Sequence, residues 1–165
     1  MQVLPDIQAI WDILEAVADP EIPVLTINDL GIVRDVQLHS DGSVEVIITP
    51  TYSGCPAMQM IEVNIKAALQ ENGYEQVKVT SVLSPAWTTD WMTESGRQKL
   101  KTYGIAPPEP GSADKGALFG EERRIACPHC GSGNTRLVSQ FGSTPCKAMY
   151  QCRECLEPFD YFKCH

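Results

Sequence analysis

The sequence predicts an α+β protein, a small two-layer α/β sandwich followed by a separate β-rich module stapled by metal. Three observations lead there. Helical and alternating apolar periods follow one another as helix, strand, strand, helix, strand over roughly the first 85 residues. Six of the seven cysteines lie after residue 126, and four of them form two C-x-x-C pairs. The charge is also unevenly shared: residues 1–106 hold 14 acidic and 6 basic side chains, residues 107–165 hold 7 of each, and the whole chain is at -8. A length of 165 residues with 43% hydrophobic content suits two small domains with packed cores. The boundaries read as 1–104 for the sandwich, 105–122 for a linker and 123–165 for the metal module.

The elements follow in order. Pro5 to Ala18 predicts an amphipathic helix, with Ile7, Ile10, Trp11, Leu14 and Val17 in one apolar stripe. Asp19-Pro20-Glu21-Ile22-Pro23 ends it, because each proline forbids helical continuation. Asn28-Asp29-Leu30-Gly31 reads as a turn. Ile32 to Leu38 alternates loosely, His39-Ser40-Asp41-Gly42 is a hairpin signal, and Val44, Val46 and Ile48 form the partner strand. Pro56 to Glu71 is the second helix, with Ala57, Ile61, Ile65 and Ala68 inward, closed by Asn72-Gly73. Val77, Val79 and Leu83 mark a third strand. Trp87 and Trp91 stand four apart, either anchoring their segment on the sheet or facing a partner; a short helix over Glu94–Tyr103 follows. Residues 105–122 lack periodicity and are rich in Pro and Gly, as linkers are.

The sandwich is organised around Thr49-Pro50-Thr51-Tyr52-Ser53-Gly54-Cys55-Pro56. The stretch leaves a strand, turns on Gly54 and places Cys55 at the expected N-cap, with Pro56 as first helical residue. Thiols at helix N-termini are good nucleophiles and metal ligands. From the residues alone Cys55 is either a working thiol (a metal or cluster ligand or a persulfide acceptor) or only a cap. The other histidine of this domain, His39, belongs to the hairpin turn, so a Cys–His pair is not indicated.

In the second module Cys127-Pro128-His129-Cys130 and Cys152-Arg153-Glu154-Cys155 are two knuckles for one tetrahedral metal, a zinc-ribbon pattern. Strands are expected over 135–141, 147–151 and 158–163. A module of about 43 residues needs such a staple, so structural zinc held by Cys127, Cys130, Cys152 and Cys155 is the plain reading. Iron or an iron–sulfur cluster on the same soft ligands is the alternative. Cys146, beside Lys147, is either a small buried residue or a second working thiol. Cys164 and His165 stand at the chain end, and His129 is expected to face solvent.

The acidic balance argues against nucleic-acid binding. The N-terminus lacks a basic region followed by an apolar run, and no apolar stretch approaches ~20 residues, so a cytoplasmic protein with no membrane association is expected. Walker A, G-x-G-x-x-G, H-E-x-x-H and G-x-S-x-G patterns are absent, and no acid–base pair suggests an enzyme in its own right.

Asp19-Pro20-Glu21-Ile22-Pro23-Val24, Asp29-Leu30-Gly31-Ile32-Val33 and Thr49-x-x-x-x-Gly54-Cys55-Pro56 resemble the MIP18 (DUF59) family of iron–sulfur assembly factors. Residues 87–92, the ribbon and the ending Glu157-Pro158-Phe159-Asp160-Tyr161-Phe162-Lys163-Cys164 are more narrowly similar to the branch of that family found in aerobic phenylacetate degradation. The resemblance implies a MIP18-like sandwich with a zinc ribbon. It also implies a maturation factor acting beside the multicomponent phenylacetyl-CoA 1,2-epoxidase, with the iron–sulfur reductase subunit as chief client. A non-catalytic accessory subunit of that complex is the alternative. Cys55 then matches the family's reactive cysteine, a transient ligand for iron or cluster. Cys146 is a further candidate for cofactor binding, and Asp19 and Glu21 match the acidic loop.

Overall fold

The computed structural model describes residues 6–108 and 124–163. Helix α1 spans Ile7–Leu14, where Asp6, in extended backbone, accepts the amide of Gln8 at 3.1 Å and so caps the first turn. Ile10, Leu14 and Val17 are buried, but the helix stops short of the expected Ala18. Ala16 and Val17 instead bond to the carbonyls three residues back, which tightens the last turn. Pro20 then bars the helix from resuming, because it holds Asp19 away from helical backbone. Ala18 then bridges Thr26, and the amide of Asp19 bonds the Leu25 carbonyl at 2.8 Å.

Strand β1 (Val33–Leu38) pairs antiparallel with β2 (Val44–Ile48) through a hairpin in which Gly42 has φ +83°. A register shift between Val33 and Asp35 explains the loose alternation of the sequence. Strand β3 (Val77–Ser81) pairs parallel with β2, giving the order β1-β2-β3. A parallel pair needs a crossover, and α2 (Ala57–Glu71) supplies it. Leu83 lies beyond β3 and is exposed. Val44, Val46 and Ile48 are buried in the core, as are Ile61, Ile65 and Leu69 of α2. Leu69 takes the inward place that the sequence pattern assigned to Ala68.

The tryptophan segment is stapled to the 26–31 turn. Thr26 and Asp29 cap each other: the Thr26 amide donates to Asp29 Oδ2 at 3.1 Å, and the Asp29 amide donates to Thr26 Oγ1 at 3.0 Å. Trp87 Nε1 donates to the Leu30 carbonyl at 2.7 Å, and Thr93 bonds Asp29 through both its amide and its hydroxyl. Trp87 is buried, which favours the anchoring reading. The Trp91 ring lies 3.6 Å below the Arg34 guanidinium.

The chain divides into two compact units. The first takes residues up to Trp87 together with Trp91–Thr93, and the second takes Thr88–Asp90 and everything from Glu94 onward. Helix α3 (Glu94–Tyr103) and strand β4 (Ile105–Ala106) therefore group with the ribbon, and the expected linker begins inside a strand. The physical reason is pairing: β4 lies parallel to β7 (Pro158–Phe162), which continues through β6 (Lys147–Cys152) to β5 (Thr135–Ser139), in the order β4-β7-β6-β5. The rest of that linker, 109–122, lies outside the described residues, as do Cys164 and His165. Ala106, Ile125, Ala148, Tyr150, Phe159 and Tyr161 form the small core of this unit, with the Tyr150 ring stacked on Phe159 and edge-on to Tyr161.

Candidate functional site

Two thiol sites emerge, one in each unit. In the first, β2 ends at Ile48, and the amide of Thr49 bonds the Ile32 carbonyl at 2.9 Å. The loop then turns on Gly54, at φ +80°, and the Cys55 amide closes it on the Tyr52 carbonyl at 3.3 Å. Helix α2 begins at Ala57, with Pro56 in the cap position at helical φ and ψ. Cys55 thus stands one residue further from the helix than expected, although its carbonyl accepts the Met58 amide at 3.2 Å. Its side chain is buried, and its sulfur makes no hydrogen bond among the described residues. A cysteine retained only as a cap would bond an amide of the first turn; this one does not.

At the other end of the same loop, Thr49 is 1% exposed, and its hydroxyl has no hydrogen-bond partner among the described residues. Buried polar groups are nearly always partnered, by protein, water or a bound ligand. The sequence signal for this hydroxyl was its place in the Thr49-to-Pro56 stretch, but nothing in the sequence revealed its lack of a partner. His39 lies at the hairpin end of β2, opposite this loop. Asp19 Oδ1 accepts the amides of Glu21 and Ile22 at 2.9 and 2.8 Å, so the acidic loop uses that carboxylate to hold its own turn.

In the second unit Cys127, Cys130, Cys152 and Cys155 gather so that all four sulfurs lie within 4.8 Å of one another. Cys127 and Cys155 are 3.8 Å apart, and Cys130 and Cys152 are 3.6 Å apart. A tetrahedral zinc with bonds of about 2.3 Å would place its sulfurs about 3.8 Å apart, so the donor set fits the ion. The two knuckles are built alike. The amide of Cys127 bonds the Ser132 carbonyl, and that of Cys152 bonds the Glu157 carbonyl. Each needs left-handed backbone after its second cysteine: Gly131 at φ +77° in one, Leu156 at φ 65° in the other. Amides donated from the Cys155 and Glu154 backbone pull the Cys152 thiol down to about 7. The Glu157 amide acts the same way on Cys155, but burial and the other thiols outweigh it and push that group up to about 12. Four crowded thiols cannot all ionise without a cation, so a metal must displace their protons.

Cys146 is buried just before β6, where its carbonyl accepts the Lys163 amide at 2.9 Å, and it is not a member of the four-sulfur cluster. His129 is exposed. No described helix is long and apolar enough to cross a membrane.

With this geometry in view, comparisons place the protein. Residues 7–83 match the family described as iron-sulfur cluster assembly protein, and residues 111–163 match the PaaD zinc beta ribbon domain. The first unit is thus an iron–sulfur assembly fold and the second a zinc-ribbon domain. A protein of Escherichia coli (strain K12), provisionally named as one of the subunits of 1,2-phenylacetyl-CoA epoxidase, is 51% identical over 160 residues, covering 97% of this chain and 94% of its own. An Fe-S protein maturation auxiliary factor of Bacillus subtilis is 38% identical over 88 residues, 53% of this chain and 85% of its own. The crystal structure of a DUF59 domain from Bacillus anthracis superimposes with a TM-score of 0.53 at 29% identity, covering 56% of this chain and 89% of that one. The chain belongs to the PaaD family, an iron–sulfur assembly (DUF59/MIP18) domain joined to a zinc β-ribbon.

Proposed function

We propose that this protein is a maturation factor for the iron–sulfur cluster of a multicomponent phenylacetyl-CoA epoxidase, with the reductase subunit as client. Cys55 carries the role. Its thiol gives up a proton and bonds iron, free or in a cluster, as transient cargo. A client thiolate then replaces that bond by ligand exchange, with no net oxidation. The supporting observation is the buried Cys55 sulfur, which serves no cap and bonds nothing among the described residues. The orphan Thr49 hydroxyl at the other end of its loop is consistent with a bound guest. Cys127, Cys130, Cys152 and Cys155 hold structural zinc, which keeps the ribbon folded and supplies no step. Cys146 has no assigned part in this cycle.

The test is metal and acid-labile sulfide per chain after anaerobic purification, with Cys55→Ser alongside, and the cluster content of the co-expressed reductase. Reductase cluster content should fall in the variant while zinc stays unchanged. Unchanged cluster content would remove Cys55 from the mechanism. Iron and sulfide that survive the substitution would place the cluster in the ribbon and overturn the zinc assignment. A second reading is an accessory subunit that stays in the epoxidase, favoured by the name of the Escherichia coli relative. Near-stoichiometric co-purification with the oxygenase would select it.

A further inference from the structure

Helix α2 is apolar on two sides. Its inner side, Ala57, Ile61, Ile65 and Leu69, is buried against the sheet. Its outer side carries Met60, Val63 and Ala67, all exposed, with Met60 at 52% and Val63 at 59%. The spacing of three and four puts these on one row about 10 Å long, and exposed Pro56 extends the row back to the residue after Cys55. A surface helix normally turns charge to solvent. Here Glu62 and Lys66 neutralise each other at 2.7 Å, and the other exposed polar residues of the helix are Gln59, Gln70 and, at its C-terminal end, Glu71. Helix α1 packs beside α2 and offers a different outer row: Gln8, Asp12 and Glu15 are exposed, with no basic side chain among them.

We infer that the outer row of α2 is a docking surface for a client protein that presents an apolar ridge edged by lysine or arginine. This rests on the maturation reading above, because the row leads directly to Cys55. Two charge observations select that occupant. The acidic row on α1 complements a basic edge, and residues 1–106 carry a net -8, so a second copy would bring like charge to the same face. Apolar contact would hold the client, and the acidic row would steer and orient it.

The experiment measures binding of the full chain to the purified subunits of a phenylacetyl-CoA epoxidase, at several salt concentrations. Val63→Arg should weaken binding by about tenfold or more, since it puts a charge into the apolar contact and repels a basic edge. Asp12→Lys should weaken it about threefold and flatten its salt dependence. Gln37→Arg, an exposed substitution on β1, should change nothing. Binding by Val63→Arg within about twofold of wild type would overturn the surface. Failure of the wild type to bind any subunit would do the same. So would loss of self-association, seen by sedimentation, in a Val63→Arg variant that still binds the subunits. If Val63→Arg loses binding while Cys55→Ser leaves reductase cluster content intact, the surface stands and the maturation reading falls.

Discussion

Gly31→Ala should be far more damaging than an ordinary glycine substitution in this chain. Gly31 sits at φ +69°, and a Cβ built there would overlap the Trp91 carbonyl oxygen and lie 2.8 Å from the Trp91 Cβ. Left-handed backbone costs a non-glycine residue about 1–2 kcal/mol. The overlap adds more, because the nearest atom is backbone and cannot rotate away. Relief requires the Trp91 segment to lift, which strains the Trp87–Leu30 and Thr93–Asp29 hydrogen bonds. Each buried bond contributes about 1 kcal/mol, so the total should reach roughly 3–5 kcal/mol. Gly42→Ala is the control: Gly42 has φ +83° with nothing within 4 Å of a Cβ, so it should lose only the backbone part, about 1–2 kcal/mol. Urea unfolding followed by tryptophan fluorescence reads this directly, because Trp11, Trp87 and Trp91 all belong to the first unit. If the two variants are destabilised equally, within about 0.5 kcal/mol, the Gly31–Trp91 contact does not constrain the fold.

Other expectations concern the ribbon and the surface. Cys152→Ser should remove the zinc, about one ion per chain, and abolish the β5–β7 hydrogen-exchange protection, leaving the α2 protection intact; retained zinc would refute the four-thiolate site. Zinc release should also follow acidification, since the thiols must be deprotonated to bind. The Glu45 carboxyl is held below its ordinary 4.5, first by the Thr80 hydroxyl and then by Lys78. Its folded pKa is depressed, so its stabilising contribution is present above 4.5 and disappears as the pH falls through the lower folded value. Thr80→Val should move the Glu45 carboxyl resonance back up in an NMR titration, and an unmoved midpoint would exclude the hydroxyl as the main cause.

Much of the fold was legible in the chain because its signals are local. The periods around Ile10 and Leu14, and around Ile61 and Ile65, are set by residues three and four apart, and both helices formed there. The spacing of Cys127, Cys130, Cys152 and Cys155 determined the four-sulfur cluster, since each knuckle is a turn of a few residues joined by one hairpin. The identity of the loop that carries Cys55 was readable for the same reason: strand end, Gly54, Pro56 and helix lie within a dozen residues.

What needed the tertiary structure depends on residues distant in sequence. Helix α3 and Ile105–Ala106 group with the ribbon because β4 finds an open edge on β7, more than fifty residues later, a choice that composition does not encode. The acceptor that anchors Trp87, the Leu30 carbonyl opposite its indole N–H, lies 57 residues away in the chain. The Thr49 hydroxyl is an orphan only because the surrounding core is closed. Burial and hydrogen-bond partnership are properties of packed surfaces, and no local period in the chain specifies which surfaces will meet.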